Sequence, residues 1–217
     1  MRLFLFAAAF SLCTTGAYAA SFQNGDFEDG PATNSIVFVP RNSTEIAAWE
    51  PLKDGVYYFN DDYWQTGSGN NAIYLSDGVR QSGIWQKVDT IAGQHYYGSF
   101  LMAGDPTDAA DKRVQVRVYE GAGGNPQGII FKEYYDFKQA GHTAQNMGWT
   151  RVFFDFVATS SRTTIEFKSV TENSIKGAVI DGITFGTSPV TQVPLPFALT
   201  LFLSGLAGLK TLGRRRG

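Results

Sequence analysis

Period two runs through the middle of this chain, and a helical period does not. Across residues 112–120, Val114, Val116 and Val118 alternate with Gln115, Arg117 and Tyr119. Successive side chains of an extended strand point to opposite faces, so this alternation predicts a half-buried strand. Residues 150–158 repeat it with Val152, Phe154 and Phe156, and residues 163–169 with Ile165 and Phe167. Runs at 72–76, 83–88, 96–103 and 129–137 read as further strands, separated by turns such as the Gly/Asn/Pro segment 121–126. Aromatic content of 14% and 24 glycines suit pleated, half-buried surfaces joined by tight turns. Many strands without intervening helices predict an all-β, antiparallel sandwich over residues 20–187. No internal repeat is present.

Both ends differ from this middle. Met1 and Arg2 precede an apolar run at 3–12, and Ala17-Tyr18-Ala19 sets small residues before a cut after Ala19. That pattern predicts a secretory signal peptide over 1–19, the alternative being a buried N-terminal helix. Cys13 is the only cysteine and falls inside the signal. The exported part therefore has no thiol, which excludes thiol catalysis, thiolate metal sites and disulfides. Acylation of Cys13 is a rival reading, but Leu12 stands where a small residue is expected.

At the far end a polar linker, 188–192, leads into Val193-Pro194-Leu195-Pro196, an apolar run at 197–212, and Arg214, Arg215 and Arg216. Such a span ending in a basic cluster predicts a helix with its C-terminus in the cytoplasm. It is shorter than the roughly 20 residues that cross a bilayer comfortably, and Lys210 can snorkel at its end. Segment 193–217 resembles a PEP-CTERM sorting signal of Gram-negative bacteria, with Leu195 where that motif usually has Glu. The resemblance implies transient anchoring in the inner membrane, processing by an exosortase-type enzyme, and a cell-surface or extracellular destination. A plain single-pass anchor is the alternative. The chain has 18 Lys+Arg and 20 Asp+Glu, and removing Arg2, Lys210 and Arg214 to Arg216 leaves thirteen bases against twenty acids, a net −7. That balance argues against nucleic-acid binding and is compatible with divalent cations.

Several segments, in order, carry a further resemblance. They are Asn24-Gly25-Asp26-Phe27-Glu28, Trp49, Asp61-Asp62-Tyr63-Trp64-Gln65, the run 71–78, Ile91-Ala92-Gly93-Gln94-His95-Tyr96, Asn146-Met147-Gly148-Trp149-Thr150 and Ala178-Val179-Ile180-Asp181-Gly182-Ile183. Together they are similar to the choice-of-anchor C family, whose members bear a sortase-type or a PEP-CTERM anchor. The resemblance implies a galactose-binding-like jelly roll of the kind found in many carbohydrate-binding modules.

Asp181 has the strand parity of Ile183 and Phe185, so without a bulge it is expected to face the core. A buried carboxylate needs a cation or several donors. The resemblance to carbohydrate-binding modules implies a structural calcium shared by a first-strand Glu and a last-strand Asp, here Glu28 and Asp181. The Asp26 carbonyl would be a third ligand, since calcium takes six to eight oxygens. The alternative is that both carboxylates accept backbone N–H groups without metal. Asp105, Asp108 and Asp111 are expected to form a solvated turn.

Sugar recognition needs aromatic platforms and fixed polar groups. Tyr63 and Trp64 sit in a polar loop beside Gln65, Asn70 and Asn71, so these five form the candidate ligand site. The alternative is a loop that folds its aromatics over the end of the sandwich. Trp49 and Trp149 read as core; Trp85 reads equally as core or as a platform on a sheet face.

Against catalysis, His95 and His142 lie in no metal-ligand spacing, no G-x-S-x-G elbow is present, and no acid pair is singled out for glycoside hydrolysis. The expectation is a non-catalytic surface protein that binds exopolysaccharide or cell-wall glycan. The alternative is a structural or adhesive matrix protein without a sugar site.

Overall fold

The computed structural model describes residues 22–120 and 126–189. The signal at 1–19, most of the 188–192 linker and the tail at 193–217 lie outside the described residues. Among the described residues there is no helix. Eleven strands follow in chain order: β1 (Ile36–Pro40), β2 (Glu50–Pro51), β3 (Gly55–Asn60), β4 (Asn71–Tyr74), β5 (Gly83–Asp89), β6 (His95–Gly104), β7 (Lys112–Glu120), β8 (Gln127–Phe137), β9 (Thr150–Val157), β10 (Arg162–Ser169) and β11 (Ala178–Gly186). They form a six-stranded sheet, β1-β3-β4-β11-β6-β9, and a five-stranded sheet, β2-β5-β10-β7-β8. Every pairing is antiparallel, as the alternating patterns require.

The two inner faces meet through aromatic side chains. Phe167 on β10 lies 5.1 Å from Phe100 on β6, 6.1 Å from Phe154 on β9 and 6.1 Å from Trp49, ring centre to ring centre. Tyr96, Phe156 and Phe185 form a cluster of nearly parallel rings, 5.1 to 5.9 Å apart. Val114, Val116 and Val118 of β7 are fully buried, as their alternation predicts. Trp49 is buried too, with its indole N–H donating to the Asn24 carbonyl at 2.9 Å.

Three strands that position the site were not visible as alternation. Phe59 and Tyr58 point to opposite faces of β3, yet both are buried. Tyr58 faces the core and donates to the Phe27 carbonyl at 2.8 Å. Phe59 faces outward and is covered by the ring of Trp64, 5.4 Å away. A strand covered on both faces reads as a continuous apolar run. β1, whose sequence is Ile-Val-Phe-Val-Pro, reads the same way, and β2 is too short to show a period.

Phe167 meets three aromatic rings, two of them on the opposite sheet. Phe167→Ala is expected to destabilise the protein by about 3–5 kcal/mol, the usual cost of truncating a buried aromatic. Urea unfolding followed by tryptophan fluorescence measures it.

Candidate functional site

The loop between β3 and β4 was expected to display Tyr63 and Trp64. Instead it folds down on the outer face of the six-stranded sheet. Trp64 is only 5% exposed, packed edge-on against Phe59 and Tyr74 at 5.4 and 5.3 Å. The expectation of an open Trp64 platform is therefore corrected: its ring is the centre of a second, smaller core. Tyr63 leans on it at 4.7 Å and stays partly exposed, beside an open depression lined by Asp61, Asp62, Gln65, Ala144 and Gln145. Gln65 is spent on architecture. Its side-chain oxygen accepts from Met147 N at 2.9 Å, and its carbonyl accepts from the Trp149 indole at 3.0 Å.

The same loop meets the two carboxylates singled out in the sequence. Glu28 Oε1 accepts from the backbone N–H groups of Asn70 and Asn71 at 2.7 and 2.9 Å, and Oε2 from the Asn71 side-chain amide at 3.0 Å. Asp181 Oδ2 accepts from Gly67 and Ser68 at 2.9 and 2.7 Å, and Oδ1 from its neighbour Gly182 at 2.6 Å. Gly69 is required here: its φ is +61°, and a Cβ would lie 2.4 Å from Glu28 Oε1. Asp181 does not face the core as its parity suggested. A bulge shifts the β11–β6 register between Asp181 and Thr184, with Gly182 at φ +50°. The extra residue flips the alternation, so Asp181 lies beside Leu101 on the outer face while Ile183 stays inside.

Burial is the main reason the Asp181 carboxyl is held up at about 7, against three amide donors, and Glu28's charge adds to the rise. Burial also pushes the Tyr58 phenol up, helped by Glu28, Asp29, Asp181 and Asp26 in that order. Asp26 thus joins this negative corner by its charge. Glu28 Oε2 and Asp181 Oδ1 accept one hydrogen bond each and keep a lone pair, which fits an oxygen-seeking cation. No group of three or more His, Cys, Asp or Glu side chains is gathered to hold a metal among the described residues. Carbonyls and water would have to complete the shell.

The acidic turn is also corrected. Asp105 is buried and accepts from the Tyr74 hydroxyl at 2.7 Å and the Thr107 hydroxyl at 2.6 Å. Asp108 pairs with the buried ammonium of Lys112 at 2.6 Å, and hydrogen bonds from Lys112 and Ser174 outweigh burial to hold its carboxyl down at about 2. Asp111 pairs with Lys138 at 2.5 Å.

The open aromatic surface lies on the other sheet. One cross-strand row spans all five strands: Glu50, Trp85, Glu166, Arg117 and Lys132. A neighbouring row holds Lys168, Gln115 and Tyr134; the row on the other side holds Lys87, Thr164 and Tyr119. Partners in register share a face, and this face is opposite that of Phe167 and Val116, so it is the outer one. Trp85 is half-buried there and lines an open depression of about 340 Å³ with Gln23, Ala48, Glu50, Gln86 and Lys87. Tyr134 is 47% exposed. Between them Glu166 is fully buried: Arg117 Nε donates to its Oε1 at 2.9 Å and the Tyr119 hydroxyl to its Oε2 at 2.6 Å. The sequence offered Trp85 as a platform but gave no signal for Tyr134, Arg117 or Glu166, which only the register assembles.

The raised Asp181 carboxyl makes a signed prediction. Folded, it keeps its proton up to about pH 7, whereas unfolded it loses it near its ordinary value of 3.8. Its contribution to stability is full below that lower value and is lost as pH rises through about 7. In chelator, urea unfolding is expected to show stability falling between pH 4 and pH 8, with the slope flattened in Asp181→Asn. Asp108 acts in a separate window, below its ordinary 3.8.

No match was found among curated proteins. Solved structures similar to this chain include one named "CBM4 structure and function" (TM-score 0.44, 14% identity, 77% of this chain and 100% of that one). Another is the CBM22-1 xylan-binding domain from Paenibacillus barcinonensis Xyn10C (TM-score 0.46, 11% identity, 77% of this chain and 94% of that one). An arabinose-bound MgGH51 α-L-arabinofuranosidase gives a TM-score of 0.50 at 15% identity over 79% of this chain, which spans only 26% of that enzyme. The last likeness concerns the sandwich fold alone. The family described as "Protein of unknown function (DUF642)" matches residues 20–185, and the chain belongs to it.

Proposed function

We propose that this chain is an exported, non-catalytic protein that binds glycan on the outer face of its five-stranded sheet. The observation that carries the reading is the set Trp85, Tyr134 and, between them, the Arg117–Glu166–Tyr119 network. Three strand spacings separate β5 from β8, about 14 Å, room for a short oligosaccharide. Rings at either end offer apolar platforms, and between them Arg117, held in place by the buried Glu166, offers a fixed polar edge. A buried ion pair is a poor way to stabilise a fold, because desolvation offsets its attraction. Its place between two partly exposed rings on one face is better explained by recognition.

Export rests on the 1–19 pattern, and surface sorting by an exosortase-type enzyme on the tail at 193–217. The ligand in this reading is exopolysaccharide or cell-wall glycan. One observation favours the structural or adhesive alternative: the Trp64 loop is packed flat and offers no groove. On a glycan array, the full chain is expected to bind, and Trp85→Ala and Tyr134→Ala each to weaken binding by about tenfold or more. Trp64→Phe should bind as the parent does. A folded sample that binds nothing across a broad array would favour the adhesive reading.

Calcium belongs to the same proposal as a structural ion, held at Glu28 and Asp181 with carbonyl help near Asp26. It would offset the charge of a corner rich in carboxylates. A hundredfold excess of calcium over its Kd is expected to raise the melting temperature by about 5 °C or more relative to chelator. Glu28→Gln should remove the response. An unchanged melting curve would leave the corner held by amides alone.

A further inference from the structure

The lysines of this protein divide into two groups. Lys112, Lys138 and Lys176 each reach a carboxylate. Among the described residues, Lys53, Lys87, Lys132 and Lys168 make no ion pair, and they gather on one side. Lys87 places its ammonium 5.7 Å from the centre of the Trp85 ring, and Lys132 places its own 5.5 Å from that of Tyr134. Lys168 faces outward between them, opposite Gln115. Lys53 sits at the rim, its ammonium on the Gln81 carbonyl at 2.5 Å.

Lys53 and Lys168 are near enough for like charge to be felt. Burial first, then the charges of Lys168 and Arg80, hold the Lys53 ammonium below its ordinary value. The hydrogen bond from Lys132, then its charge, pulls the Tyr134 phenol down. The Glu166 carboxylate does not offset this, because Arg117 already neutralises it. Glu50, opposite Trp85, is the one other acid in the central row. Arg41 and Arg151 also lack an ion pair among the described residues, Arg151 lying on the six-stranded sheet, but the unpaired lysines of a chain whose exported part is net −7 lie on, or at the rim of, the face that carries Trp85 and Tyr134.

Resting on the glycan reading above, we infer that this face takes an acidic polysaccharide, with the anionic groups carried on the sugar rings. Each platform has a flexible ammonium beside it. A pyranose face settles on Trp85 or Tyr134 while a carboxylate at the ring's edge draws that ammonium off the aromatic face. A neutral glycan would use the rings and leave the lysines without a partner.

The test uses the full chain in a polyoxyethylene detergent and three probes. Polygalacturonate supplies charged rings, its fully methyl-esterified form supplies the same backbone uncharged, and poly-L-glutamate supplies carboxylates without sugar. At low salt, polygalacturonate is expected to bind at least about tenfold more tightly than the ester. The gap should close near 0.5 M salt, where charges are screened within a few ångströms. Substituting Lys87→Gln, Lys132→Gln and Lys168→Gln together should cost about tenfold for polygalacturonate and abolish the preference. Poly-L-glutamate should not compete. Equal binding of the two polymers, or tight binding of poly-L-glutamate, overturns the inference. If neutral array glycans still bind through Trp85, the glycan reading survives that result; if no glycan binds, both fall together.

Discussion

Two carboxylates hold this sandwich in register with its own loops. Glu28 comes from the segment before β1, Asp181 from the middle of the last strand, and both accept hydrogen bonds from amides of the single turn at 67–71. The beginning and end of the domain are thereby tied through a loop neither adjoins in sequence. The arrangement costs something, since burial penalises the charge on Asp181. Amides that point at a carboxylate from a tight Gly-containing turn offset part of that cost. Once the turn is fixed, Asp61 caps it from before, accepting the Thr66 N–H at 2.6 Å, and Trp64 is carried into place on Phe59 and Tyr74.

What the sequence disclosed follows from which strands keep one wet face. β7, whose inner valines alternate with polar partners, was legible to its terminal residues, and β5, β6, β8, β9 and β10 to within a residue or two. β3 was not, because the Trp64 loop dries its outer face and erases the alternation. The same cover explains the misplacement of Trp64: a large aromatic in a polar loop reads as exposed only if the loop has nothing apolar to land on. Asp181 was misjudged for a local reason, since a bulge at Gly182 reverses parity and alternation cannot announce a bulge. That Glu28 and Asp181 act on one neighbourhood was legible. That their shared partner is the turn at 67–71 was not, because a hydrogen bond to a backbone N–H leaves no trace in residue identity.

The outer face of the five-stranded sheet was hidden for another reason. Trp85, Arg117, Tyr134 and Glu166 come from four strands between residues 85 and 166, and only the antiparallel register sets them side by side. Arg117 and Gln115 looked like the solvated side of an amphipathic strand. In fact Gln115 is 7% exposed, and Glu166 opposite Arg117 is fully buried. A solvated face does not need such order.

A two-sheet sandwich has two outer faces on which a site can be built, and here they are not equivalent. Over the middle of the six-stranded sheet lies the layer formed by Trp64, Gln65, Met147 and Trp149, tied by the hydrogen bonds that Gln65 accepts. Ala72, Val179 and Ala103 are fully buried on that outer face because of it. On the outer face of the five-stranded sheet Trp85 and Tyr134 keep partial exposure, although Thr164, Glu166, Tyr119 and Gln115 between them are buried. The loop expected to make the site therefore closes the middle of one face, while the other keeps Trp85 and Tyr134 partly open beside the fixed Arg117. Recognition on a sheet face also suits an extended chain better than a loop-end pocket, since strands hold their side chains at fixed spacing along a line.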